Sequence, residues 1–167
     1  MIFPNLIADD FVRWEPYTKE DILCKRFSPD GWHMIVADIH SDEDWAEFLV
    51  ENPGFVRCYV LKRKKDSHPI GFVYVMKEYD DKNVLSIHGG GWESSLMHYR
   101  GYILMLKSLL DQGFKVRTYC QLSNSAAIRF DRSVGFIPYR YTEEKVYMWL
   151  SQHSLQRSKV YRHIYSR

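Results

Sequence analysis

Asn124-Ser125-Ala126-Ala127-Ile128-Arg129-Phe130-Asp131-Arg132-Ser133-Val134-Gly135-Phe136 is the stretch on which the reading of this chain turns. Asn124, preceded by Ser123, is an N-cap type, because a short side-chain oxygen can accept a hydrogen bond from an orphan backbone N–H of the first helical turn. Ala127, Phe130 and Val134 then fall at three-and-four spacing on one face, with Arg129, Arg132 and Ser133 on the other. Gly135 suits the left-handed residue that ends a helix, and Phe136 opens a new apolar run. The segment therefore reads strand, Asn cap, short helix, Gly, strand.

Working outward, residues 116–122 form the strand that leads into Asn124. Before it, Leu96, Tyr99, Ile103, Leu106 and Leu110 keep helical spacing and predict the longest helix, with Gly113 where a C-cap is wanted. After Phe136, a strand over 136–141, a Thr142-Glu143-Glu144 turn and a strand over 146–150 complete a hairpin. Towards the N-terminus, residues 11–15 alternate as a half-buried strand does, and Pro16 closes it. Thr18 and Ser41 cap two helices, the second carrying Trp45, Phe48 and Leu49 and ending at Asn52-Pro53-Gly54. Residues 55–61 and 69–76 flank a charged turn, and residues 84–88 follow the Asp80-Asp81-Lys82-Asn83 turn, so three strands form a meander. The order is β, α, α, β, β, β, α, β, α, β, β.

With 167 residues, 46% hydrophobic and 26% charged, the chain can bury one core, and a single domain over residues 1–150 is expected. The tail, residues 151–167, is basic through Arg157, Lys159, Arg162, His163 and Arg167 and reads as a solvated helix. A net charge of +2 is too small to imply a nucleic-acid or membrane partner. Cys24, Cys58 and Cys120 are odd in number and widely spaced, without Cys-x-x-Cys or a His at ligand spacing, so a reducing cytoplasm and no metal are expected. No apolar run approaches the roughly 20 residues of a membrane helix, and no signal segment or repeat is evident.

Asn124, Ala127, Ile128, Phe130, Gly135 and Phe136 resemble a conserved segment of the GNAT acetyltransferases, which runs Asn, two variable residues, Ala, an apolar pair, usually Tyr, then Gly-Phe. Asp131 stands at the Tyr position. The element order over residues 11–150 is also that of the family, and Arg13-Trp14-Glu15-Pro16-Tyr17-Thr18-Lys19-Glu20-Asp21 and Ile70-Gly71-Phe72-Val73 look like its opening strand and third strand. The resemblance implies a GNAT-like α/β fold, an α+β arrangement with a mostly antiparallel central sheet and helices on both faces. It implies transfer of an acetyl group from acetyl-CoA to a primary amine, on a small molecule or on a protein or peptide, by direct attack. A non-catalytic acyl-CoA-binding or interaction module on the same fold is the alternative, and a homodimer is left open.

Between the fourth strand and the long helix lies His88-Gly89-Gly90-Gly91-Trp92-Glu93-Ser94-Ser95. Three glycines strip the turn of β-carbons, so backbone N–H groups can approach a ligand, and the following helix adds its positive dipole end. Such a loop suits a pyrophosphate, although three glycines can equally make a tight turn. The family usually has an Arg or Gln, two variable residues, Gly, one variable residue, then Gly or Ala here, which this chain does not reproduce. Arg100-Gly101 is a second register, but it would cut the long helix to residues 102–112. The expected acetyl-CoA contacts are Ile87, His88, Gly89, Gly90, Gly91, Trp92, Ser94, Ser95, Asn124, Ala127 and Phe130.

The chemistry needs a base for the amine proton and an acid for the thiolate. His88, with an ordinary pKa of about 6.5, and Glu93 are candidate bases, although His88 can also be a satisfied strand-end residue and Glu93 a solvated loop residue. Asp131 is a candidate acid only if burial raises its pKa. Otherwise Tyr139 or Tyr141 substitutes, or the thiolate leaves unaided. Cys120 admits a covalent acyl route, against its commoner role as a small buried hydrophobe.

Overall fold

The computed structural model describes residues 7–16, 44, 47, 56–78, 80–91 and 95–166. Eight strands, β1 (Ile7–Ala8), β2 (Val12–Pro16), β3 (Val56–Arg63), β4 (Pro69–Lys77), β5 (Val84–Gly91), β6 (Lys115–Gln121), β7 (Ile137–Tyr141) and β8 (Lys145–Leu150), join in the order β1-β2-β3-β4-β5-β6-β8-β7. The sheet is mostly antiparallel, with β5 and β6 parallel. The helices are α1 (Leu96–Asp111) and α2 (Ser125–Ser133), which follow the sequence spacing, and α3 (Gln152–Arg157) and α4 (Lys159–Tyr165), two short helices where the tail reads as one. The helices expected after Thr18 and Ser41 fall outside the described residues, except for Asp44 and Glu47, which are helical.

Two compact units make up the chain, residues 1–76 with 88–98, and residues 77–87 with 99–167. In the first, β2, β3 and β4 form an antiparallel ladder with Trp14 opposite Leu61 and Val60 opposite Phe72. Trp14, Leu61, Ile70, Val73, Tyr74 and Val75 are buried almost completely, because both faces of β3 and β4 are covered and the strands are accordingly near-continuous apolar runs. Glu15 on β2 takes Arg13 and Lys62 as partners, at 2.6 and 2.5 Å. The expected strand over 11–15 thus gains a partner that sequence did not reveal, the two-residue β1, which is too short to leave a period-two signal.

In the second unit, β6 pairs in parallel with β5 from Val84 opposite Lys115 to Ser86 opposite Arg117, and antiparallel with β8 from Val116 to Gln121. Val116, Thr118 and Cys120 on β6 and Val146, Met148 and Leu150 on β8 are buried, so both strands turn alternate residues to one covered face. The buried side of α1 is Tyr102, Ile103, Met105, Leu106 and Leu109, while Leu96, assigned to the stripe from its spacing, is 48% exposed. Counting Tyr102, Met105 and Leu109 as apolar turns the stripe to its true position, because the buried arc is wider than one row of side chains.

The tail is not wholly solvated. Ser151 and Ser154 form a reciprocal capping box for α3, Ser158 caps α4, and Leu155 is completely buried. Gly135, at φ +112°, lets the chain leave α2, and a β-carbon there would lie 2.6 Å from the Ser154 carbonyl oxygen. The glycine therefore does two things, ending the helix and admitting the backbone that leads into α3.

Candidate active site

In the first unit the expected phosphate loop is in part a strand. Gly89, Gly90 and Gly91 belong to β5, which runs three residues beyond the His88 end read from sequence. Glycine disfavours strands in isolation, and that misplaced the boundary. The neighbours explain the glycines. A β-carbon on Gly89 would lie 2.6 Å from the Phe72 carbonyl oxygen, one on Gly90 2.7 Å from the Phe72 ring, and one on Gly91 2.8 Å from the His98 ring. Gly71 on β4 is under the same constraint, 2.6 Å from the Gly90 oxygen and 2.9 Å from His98.

His88 is 7% exposed and its imidazole stacks on Tyr74, with centroids 5.3 Å apart. It is thus a buried residue within β5. Trp92, Glu93 and Ser94 lie outside the described residues. Ser95 precedes α1 and accepts the His98 N–H through both its carbonyl and its hydroxyl oxygen, at 3.1 and 3.3 Å. The first turn of this 16-residue helix contains no acidic side chain.

In the second unit Ile87 is fully buried, and its carbonyl accepts a hydrogen bond from the Thr118 hydroxyl at 2.8 Å, one position past the parallel pairs of β5 and β6. Asn124 caps α2 as its sequence indicates, its side-chain oxygen accepting the Ala127 N–H at 3.1 Å. Phe130 stacks on Tyr99 at 4.7 Å and tilts against Tyr102 at 5.0 Å, which seats α2 on α1. The apolar spacing placed Ala127, Phe130 and Val134 inward. Only Val134 is fully buried, and the helix's own buried residue is Asp131.

Asp131 is 6% exposed, and its Oδ2 accepts a hydrogen bond from Cys120 Sγ at 3.1 Å. Burial pushes the carboxyl up to about 7, opposed by the thiol hydrogen bond. The burial required of a carboxylic acid that keeps a proton near neutrality is therefore present. Burial, followed by the nearby Asp131 charge, raises the Cys120 thiol far above its ordinary value, so it stays protonated and is a poor nucleophile. Tyr102 on α1 is raised by burial and, secondarily, by Asp131. No residue pattern announced the Cys120–Asp131 pair, since its members lie 11 positions apart on different elements.

Tyr139 and Tyr141, the alternative acids, sit on β7 and are 46% and 64% exposed. Tyr139 packs against Tyr147 and Trp149, whose neighbours Val146 and Met148 point to the opposite, buried face with Cys120. Trp32 and Trp45 lie outside the described residues. Among the described residues no group of three His, Cys, Asp or Glu could hold a metal ion, and no helix is long and apolar enough to cross a membrane.

Comparison with known proteins separates sequence from shape. No protein-family model matches the chain, and no curated protein matches it in sequence. Solved structures do match. Apo FdhC, a nucleotide-linked sugar GNAT, superposes with a TM-score of 0.70 at 15% identity, covering 97% of each chain. A probable GNAT-family acetyltransferase from Chromobacterium violaceum gives 0.72 at 15% identity over 92% of this chain and 90% of that one. AAC(6')-Ib, solved in complex with paromomycin and acetyl-CoA, gives 0.68 at 16% identity over 90% of this chain and 98% of that one. The chain has the GNAT fold: its structural neighbours across nearly the full length are GNAT acetyltransferases, at low sequence identity.

Proposed function

We propose that this protein is an N-acetyltransferase that moves an acetyl group from acetyl-CoA to a primary amine, on a small molecule or on a protein or peptide, by direct attack. The observation that carries the reading is Asp131: on a GNAT fold, at the position where the family usually has tyrosine, the Asn124-capped helix buries a carboxyl against Cys120, and that burial pushes its pKa up to about 7. A proton donor of that strength is useful only where a basic group is produced, and a departing thiolate is such a group.

Acetyl-CoA, when bound, supplies a thioester carbonyl open to nucleophiles. Two groups of residues would hold its two ends. The α1 N-terminus, free of acidic side chains in its first turn, suits the pyrophosphate. Ile87, Gly89, Gly90, Gly91, Trp92, Ser94 and Ser95 would contribute the surrounding backbone, and Asn124, Ala127 and Phe130 would flank the thiol end. His88 accepts the proton that the amine loses as the C–N bond forms, with Glu93 as the second candidate base. Asp131 donates its proton to sulfur as the C–S bond breaks and recovers one from solvent between turnovers. Cys58 and Cys120, both free and buried, suit a reducing cytoplasm.

The test is thiol release from acetyl-CoA with a panel of primary amines, alongside a thermal shift with acetyl-CoA alone. Amine-dependent thiol release together with a raised melting temperature is the expected result. A raised melting temperature with no release for any amine would select the non-catalytic acyl-CoA-binding module, and absence of both would overturn the reading.

A further inference from the structure

We propose that Cys120 is a positioning residue for Asp131, its S–H bond to Oδ2 assigning the carboxyl proton to the other oxygen, Oδ1. The inference rests on Asp131 being the proton donor of the reaction above, but its geometry stands apart from that reading. A carboxylic acid carries its proton on one of two oxygens, and in a buried site the hydrogen-bond donors around it decide which one. Here the donor comes from β6: Cys120 Sγ lies 3.1 Å from Oδ2, and both side chains are buried. The carbonyl oxygen of a carboxylic acid is a better acceptor than its hydroxyl oxygen, so a donor at Oδ2 favours the hydroxyl on Oδ1.

The thiol can hold this role throughout the cycle because it does not ionise near neutral pH; burial, then Asp131 itself, keeps it protonated. When Oδ1 gives up its proton to the leaving sulfur, the S–H remains in place and stabilises the new carboxylate. The thiol therefore forms no bond to the acyl group. It fixes the orientation of the acid and eases its ionisation, since a hydrogen bond to the charged form favours that form. Among the described residues, the other titratable group coupled to Asp131 is the Tyr102 phenol of α1, also held neutral by burial. A serine would keep a donor at this position and an alanine would not, so the two substitutions separate the hydrogen bond from mere packing.

The experiment is a carbon-13 titration of the Asp131 carboxyl in the full chain without ligand, in the parent protein and in the Cys120→Ala and Cys120→Ser variants. Losing the S–H should raise the Asp131 midpoint by roughly half to one unit, the size of one neutral hydrogen bond, and the hydroxyl should hold it at or below the parent value. The pH profile of thiol release from acetyl-CoA, with any amine that supports turnover, should move by the same amount in the same direction. An unchanged midpoint in Cys120→Ala, or equal upward shifts in both variants, overturns the positioning role whatever the activity. If the midpoints move as expected while the activity profile stays fixed, Cys120 does position the carboxyl and it is the assignment of Asp131 as acid that fails.

Discussion

A β-carbon on Gly91 would stand 2.8 Å from Cε1 of His98, so the imidazole in the first turn of α1 lies where β5 has no side chain. Gly71 meets the same ring at 2.9 Å, but it also faces the Gly90 carbonyl oxygen at 2.6 Å. The two glycines should consequently respond differently to alanine. Gly91→Ala should cost about 1–3 kcal/mol by overpacking and be largely rescued by His98→Ala, which removes the ring. Gly71→Ala should cost more and resist that rescue, because backbone cannot be trimmed. Urea unfolding midpoints of the single and double variants measure both. Gly90→Val does not cleanly probe ligand binding, since its β-carbon would meet the Phe72 ring at 2.7 Å.

Two glycines with positive φ make a second contrast. Gly113, at φ +85°, has nothing within 4 Å of a built β-carbon, whereas Gly135, at φ +112°, has the Ser154 carbonyl oxygen at 2.6 Å. Gly113→Ala should cost only backbone strain, about 1–2 kcal/mol. Gly135→Ala should cost more and loosen the tail, seen as faster amide exchange around the buried Leu155.

Asp131 sets a pH dependence of stability. Its pKa is raised from 3.8 to about 7 by burial, so the folded protein holds a proton that the unfolded chain releases. That contribution is complete below the unfolded value, is lost progressively as pH rises from about 4 to about 7, and changes no further above the folded value. The slope in that window approaches about 1.4 kcal/mol per pH unit for one proton. Asp131→Asn removes the titration, so its stability relative to the parent should increase between pH 4 and 7. A constant difference across that window would show that the carboxyl does not titrate there.

The same carboxyl governs turnover if it is the acid. Asp131→Asn should lower kcat for thiol release by about 10²–10⁴, the usual worth of a proton donor, while the affinity for acetyl-CoA measured by calorimetry stays near that of the parent. In the parent, kcat should fall as pH rises through about 7, where Asp131 loses its proton, and that limb should be missing in the variant. An Asn variant with full kcat would transfer the role to another group or show that the thiolate leaves unaided.

Several elements are legible in the residues because their causes are local. Asn124 binds the Ala127 N–H three residues on, and Gly113 and Gly135 have the positive φ that a helix exit asks for. Three-and-four spacing locates α1 and α2, and the apolar, aromatic run from Val146 to Leu150 locates β8. The glycine run is where local reasoning goes wrong. Gly89, Gly90 and Gly91 have poor strand preference, yet β5 keeps them because Phe72 and His98 press against its backbone from elsewhere in the chain.

Sequence alone determined the order of elements from β3 to β8, the cap and exit of α2, and the resemblance that shape bears out at low identity. Each of these depends on residues within one or two turns of one another. Only the tertiary structure decided that Asp131 is buried, that Cys120 donates to it, and that its proton is held to about 7. Desolvation belongs to no single segment: it arises when β6, α1 and α2 close around a carboxyl whose residue type, taken alone, belongs on the surface.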